Sequence, residues 1–282
     1  MPSALFQHRL YSLNIVCLLL ILGALVGLYS PVLVVLTQEW STNDNYSHGF
    51  FIPLISGYMI FTMRAELNNI SLRPANWGLL LLLIGLAQLY IGKVGSEFFL
   101  QRTSIIFVLL GIALFLLGAA MVRKLLLPIG YLIFMVPLPA IIWNKIAFPM
   151  QLYSSAITEK VIQVTGIPVL REGNVLHLAQ TTLEVVDACS GLRSLTTMFA
   201  LSAALAWFSD CADWKKWVLF LVAAPVAIFA NIIRLTGTAS LASLYGEKVA
   251  QGFLHEFSGL FTFAFGLMLL VLTKIILQSN KM

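Results

Sequence analysis

Charge is what this chain has least of. Only 10% of its 282 residues are Asp, Glu, Lys or Arg, while 60% are hydrophobic. Soluble domains carry about 25% charged residues, so an ordinary water-soluble domain is excluded and an integral membrane protein is left. The net charge of +5 is then no argument for a nucleic-acid partner. In a membrane chain, Lys and Arg first report which loops stay in the cytoplasm. Cysteine is scarce as well: Cys17, Cys189 and Cys211 stand in no CxxC or metal-ligand spacing. Their odd number leaves at least one thiol without an internal partner. No HExxH or comparable cluster is present and the four histidines lie far apart, which disfavours a metalloprotease; no metal and no cofactor are expected. No repeat, low-complexity linker or charge run divides the chain, so it reads as one continuous membrane domain over 1–282.

What the sequence does have is apolar length. A spanning helix needs about 20 mostly apolar residues, and candidates run over 12–36, 47–62, 77–96, 104–120, 125–142, 190–208, 217–236 and 257–277. The expected fold is therefore all-α and polytopic, with about eight transmembrane helices. The first segment is too long for a signal-peptide core, and no A-x-A site ends it. Threaded from an inside N-terminus, the cytoplasmic pieces hold Arg9, Arg64, Arg73, Arg123, Lys124, Lys215, Lys216, Lys274 and Lys281, against Glu66, Asp210 and Asp213. The first outer loop, "TQEWSTNDNY", has no Lys or Arg. Both termini are expected inside.

The one sizeable polar region, 143–189, falls outside in this threading. Residues 146–165 mix apolar and polar residues at helical spacing and read as an interfacial amphipathic helix. Residues 171–188 alternate in part, beginning with the turn-like "EGN", and read as a small β-hairpin on the membrane surface. Asp187, Glu184 and His177 there read as solvated surface.

The threading brings three residues from three segments to one outer level. Cys189, in "DACSGLRSL", opens the 190–208 segment, beyond reach of Cys17 and Cys211. Cysteine is often just a small buried hydrophobe, but an unpaired thiol in an oxidising compartment is a liability unless it has a task. Arg234, in "NIIRLTG", lies seventeen steps along the helix from Trp217, about 25 Å at 1.5 Å per residue. It either snorkels or faces an interior, and Asn231, three residues earlier on the same face, favours the interior. His255, in "FLHEFSG", begins the last segment. An activated thiolate, a histidine base that later acts as acid, and an arginine for the oxyanion suffice for acyl transfer through a thioester. Arg193, one turn beyond Cys189, is a second candidate for lowering the thiol pKa. Ser190 and Gly191 offer backbone N–H groups to an anion at a helix N-terminus.

At these residues the sequence resembles the exosortases, polytopic bacterial membrane transpeptidases. "ACSGLRSL" (188–195), "NIIR" (231–234), "HEFSG" (255–259) and "YSHGFFIPLIS" (46–56) are similar to four blocks of that family, in order. The resemblance implies Cys189 as nucleophile, His255 as general base and acid, and Arg234 as transition-state stabiliser. It implies as partners exported proteins ending in a Pro-Glu-Pro-like motif (PEP-CTERM), a spanning helix and a basic cluster. They would be cleaved just outside the membrane, in work tied to surface attachment and extracellular polysaccharide. Some members carry a further soluble C-terminal domain; this sequence ends five residues after its last apolar segment. His48 and the 143–189 region are expected to line a lateral access groove for a substrate anchored in the bilayer. Two other readings stay open, a multi-pass transporter and a scaffold subunit for polysaccharide export with an incidental thiol. The glycine-serine motif of rhomboid-type serine proteases is absent.

Overall fold

The computed structural model describes residues 4–179, 182–185, 192–245 and 253–279; the side chains of 4–15, 18, 192, 244–245 and 253–257 lie outside that description. The chain forms two units, Met1–Thr42 with Ser71–Arg123, and Asn43–Ile70 with Lys124–Met282.

The first unit holds α1 (Ala4–Thr42), α4 (Trp77–Val94) and α5 (Phe98–Leu117). Glycine decides how α4 and α5 meet. Gly78, Gly85 and Gly92 recur every seven residues, about two helical turns, and so form one stripe. A Cβ on Gly78 would lie 2.1 Å from Phe115 N, on Gly85 2.8 Å from Val108 Cγ2, and on Gly92 2.9 Å from Gln101 Cγ. The partners descend in the same steps of seven, so the helices run antiparallel with their backbones in direct approach. Lipid offers no hydrophobic force between helices, and small residues let close packing do that work. Tyr29, Val32, Leu89 and Val108 fill the core on the α1 side. Polar groups are paired: Tyr29 Oη with Ser104 Oγ at 2.8 Å, Gln88 Nε2 donating to Thr103 Oγ1 at 2.7 Å, and buried Arg102 with Glu39.

The second unit opens with a 3-10 turn (Asp44–Phe50), α2 (Phe51–Thr62) and α3 (Arg64–Asn68). It continues through α6 (Ala119–Tyr131, from Lys124 onward), a 3-10 turn (Leu132–Met135) and α7 (Ala140–Val164). The α6 and α7 segments are bent by 78° at their break. Proline causes it: Pro137 and Pro139 have no N–H to continue a helix, and each disfavours helical backbone in the residue before it. A broken helix frees backbone polar groups that an apolar setting cannot leave unmet. Side chains from the 44–56 stretch take them. Ser56 Oγ donates to Pro128 C=O at 2.7 Å, His48 Nε2 lies 3.2 Å from Phe134 C=O, and Leu138 N–H donates to Tyr46 Oη at 3.2 Å.

The amphipathic helix expected over 146–165 is present as the longer α7. Trp143, Ala147, Gln151, Ser155, Thr158 and Ile162 form its buried stripe, at the three- and four-residue spacing of one helical face. The expected hairpin is a three-stranded antiparallel sheet, β1 (Val169–Glu172), β2 (Val175–Leu178) and β3 (Thr182–Glu184), in that order. Leu176, Leu178, Leu183 and Val185 face inward. His177 looks outward, between Glu172 at 3.4 Å and Thr182 Oγ1 at 3.3 Å, and Glu184 is exposed, as expected of surface residues. Asp187 lies outside the described residues.

The helices that complete the unit are α8 (Leu192–Trp207), α9 (Asp213–Tyr245) and α10 (Phe253–Ser279). The structure corrects the expected count of about eight spans. Among the described residues five helices are long and apolar enough to cross a membrane: Leu19–Thr42, Trp77–Val94, Phe98–Leu117, Asp213–Ser243 and Ser258–Ser279. The bent α6–α7 pair makes six if taken as one span. The 47–62 segment resolves into a turn and the 12-residue α2, about 18 Å long against a hydrocarbon core of about 30 Å. The 125–142 segment contains the proline break. The described part of the 190–208 segment is the 16-residue α8. Apolar length had been counted without the turns that interrupt it.

The glycine seam yields a direct test. Gly85→Leu forces α4 and α5 apart and lowers the thermal unfolding temperature in detergent, an overpacking cost of about 1–3 kcal/mol. Gly57→Ala, with open space around its Cβ position, leaves that temperature nearly unchanged.

Candidate active site

The register of α8, α9 and α10 builds the site. Met198 on α8 packs against Ala223 and Ala227 of α9 and Leu270 of α10. A Cβ on Gly266 would lie 2.7 Å from Met198 Cε. Above this layer, at about 1.5 Å per residue, the start of α8 at Leu192 stands roughly 9 Å away along the helix. Arg234 lies roughly 10 Å beyond Ala227, and Ser258 roughly 12 Å back from Gly266, by the same rise. The α8 N-terminus, Arg234 and the first turns of α10 therefore share one end of the helix group.

At that end Arg234 Nε donates to Ser258 Oγ at 3.1 Å. A Cβ on Gly259 would come 4.0 Å from Arg234 Nη2, so the small residues of "SG" make room for the guanidinium. Asn231 is fully buried, one turn earlier on α9, which agrees with an interior face for Asn231 and Arg234. Leu235, next in the chain, packs with Val185 and Leu176. The sheet is thus packed on α9 at the residue that follows Arg234. His255 lies in the first turn of α10, three residues before Ser258, the spacing of helical neighbours. Its side chain is outside the description, as are Cys189, Ser190 and Gly191 altogether. Val185 and Leu192 are the described residues flanking that stretch.

The family model described as transmembrane exosortase matches residues 40–272. The chain belongs to the transmembrane exosortase family. The match contains all four sequence blocks, the broken α6–α7 pair, the sheet, α8, α9 and all but the end of α10, and it omits most of α1. No curated protein and no solved structure matches the chain.

Two supporting residues of this exosortase are occupied in ways the sequence did not reveal. Arg193 Nε donates to Asn45 Oδ1 at 3.0 Å, and Nη2 lies 3.5 Å from Asp44 Oδ2. The Arg193 guanidinium is thus engaged at the 44–45 turn. His48 sits between Phe134 C=O and Thr197 Oγ1, the latter 3.4 Å from Nδ1. Asp44, Asn45, Thr197 and Ser258 were passed over in the sequence because each partner lies on a different segment. Ser258, three residues after His255, was the one with a local signal. Among the described residues no group of three or more His, Cys, Asp or Glu could hold a metal ion.

Burial holds the His48 imidazole below its ordinary value of 6.5, offset in part by the Phe134 carbonyl. Because a carbonyl only accepts, the neutral ring carries its proton on Nε2 and leaves Nδ1 to accept. The folded value lies below the unfolded one, so the unfolded chain takes up this proton first as pH falls. The contribution is complete above the unfolded value and declines as pH drops through 6.5 towards the folded value. Thermal unfolding between pH 8 and pH 5 should show a loss that is smaller in His48→Gln.

Proposed function

We propose that this family member is a cysteine protease or transpeptidase that acts at a membrane face. Cys189 Sγ, as thiolate, attacks the carbonyl carbon of a substrate peptide bond, and the Arg234 guanidinium stabilises the resulting oxyanion. The C–N bond breaks, His255 gives the leaving amine its proton, and the acyl group stays on sulfur as a thioester. An acceptor amine or water, deprotonated by His255, then attacks and releases Cys189. The substrates are exported proteins with a Pro-Glu-Pro-like motif, a spanning helix and a basic tail. Cleavage is at the outer face of a bacterial inner membrane, in the service of surface sorting and extracellular polysaccharide.

The observation that carries this reading is the shared end of α8, α9 and α10. Cys189 is tethered three residues before Leu192 and four after Val185, which packs against Leu235, the residue that follows Arg234. A peptide anchored by its own spanning helix diffuses in the membrane plane and presents a fixed height of chain. A nucleophile at one end of a helix group suits that geometry. The transporter reading would gain from matching broken helices in two halves; among the described residues there is one bent pair.

Processing of a reporter carrying such a signal, in proteoliposomes, separates the roles. Cys189→Ala abolishes cleavage, while Arg234→Lys, which cannot reproduce the fork of donors, lowers kcat by about 10²–10³-fold. Ser258→Ala frees the Arg234 Nε and lowers it about tenfold, the effect of about 1.4 kcal/mol. Cleavage at the normal rate by Cys189→Ala would return the protein to the transport or scaffold readings.

A further inference from the structure

The turn at Asp44–Phe50 touches both the broken helix and the helix that follows Cys189, and no step of the proposed reaction uses it. On one side Tyr46 and His48 take the freed Leu138 N–H and Phe134 C=O. The Tyr46 ring also packs, tilted, at 5.5 Å from that of Trp143, the first buried residue of α7. On the other side Asn45 and Asp44 hold Arg193, and His48 meets Thr197. Arg193 and Thr197 are four residues apart, hence on one face of α8, and the single Thr197 hydroxyl proton is shared between Arg193 C=O, at 2.9 Å, and His48 Nδ1, at 3.4 Å. The adjacent Met198 holds another face of α8 to α9 and α10.

The geometry points to Asp44, Asn45 and His48 as positioning residues for acyl transfer, which fix the end of α8 from which Cys189 extends by joining Arg193 and Thr197 to the α6–α7 break. This rests on Cys189 being the nucleophile. Leu195 and Met198 pack α8 against α9 and α10, below its end at Leu192, and Tyr131 Oη donates to Ala200 C=O further down at 3.1 Å. A thiol carried three residues beyond that end gains from a second fixed point, because displacement of a reacting atom by about 1 Å can cost on the order of 10²-fold in rate. Asn45 is itself fixed, its N–H bonded to Asn43 Oδ1 at 3.1 Å. The grip thus runs from a satisfied backbone break, through a short turn, to the nucleophile helix. It assigns the Arg193 charge to Asp44 and leaves thiol activation to other groups. It gives His48 a role that needs a hydrogen-bond donor and no proton transfer.

The test uses the full chain in proteoliposomes, with the reporter substrate and rates expressed per folded enzyme from thermal unfolding. Asn45→Ala and His48→Ala should lower kcat about 10- to 100-fold with KM little changed. His48→Gln, which keeps a donor for Phe134 C=O but cannot shuttle a proton, should recover most of kcat. The paired exchange Asp44→Arg with Arg193→Asp should be faster than either single change. Inactivity of His48→Gln equal to that of His48→Ala would overturn the proposal in favour of proton transfer. Wild-type kcat in Asn45→Ala and His48→Ala would overturn it as well, as would an exchange no better than its parents. Cleavage that persists in Cys189→Ala would instead overturn the nucleophile assignment, a separate result.

Discussion

The contact between Met198 and the small residues facing it sets the rest of the second unit. Ala223, Ala227, Ala230 and Gly266 present almost no side chain, so α9 and α10 close around a single flexible thioether. Methionine suits such a socket because its unbranched chain adapts to an irregular gap. With that layer fixed, the rise of each helix carries Leu192, Arg234 and Ser258 to comparable heights. A shift of one helix by a turn would move its residue about 5.4 Å, enough to separate a guanidinium from its hydroxyl partner. Register here is chemistry at a distance.

A second constraint is the need to satisfy backbone groups where α6 gives way to α7. Proline makes the break, and Tyr46, His48 and Ser56 make it tolerable. The same short stretch then reaches α8 through Asp44, Asn45 and His48. One segment therefore mends a helix and braces another, which is why a polar block sits ahead of an apolar helix so early in the chain. The first unit solves its own problem differently, with glycines every seven residues that bring α4 and α5 backbone to backbone.

Much of this was legible in the residues themselves. Scarce charge named the membrane, the 3.6-residue period named α7, and "EGN" marked the turn between β1 and β2. The motif blocks pointed to a family that the match over residues 40–272 then established. The number of spans was not legible, because apolar length alone does not show where Pro137 and Pro139 end a helix or how short α2 is. The occupation of Arg193 was hidden for a different reason: Asp44 and Asn45 lie nearly 150 residues away, and no local pattern links them. The glycine repeat at 78, 85 and 92 was in plain view, but its meaning depends on the matching steps of seven along α5.

In the proposed reaction the thiol of Cys189 is activated by Arg234 and His255. That activation is tested most directly by the pH dependence of Cys189 alkylation, with Cys17→Ala and Cys211→Ala removing the other thiols. The account predicts rapid alkylation persisting well below the ordinary thiol value of about 8.5, with that acid-side reactivity lost in Arg234→Ala or His255→Ala. A rate that rises only around the ordinary value, unchanged by either substitution, would contradict it.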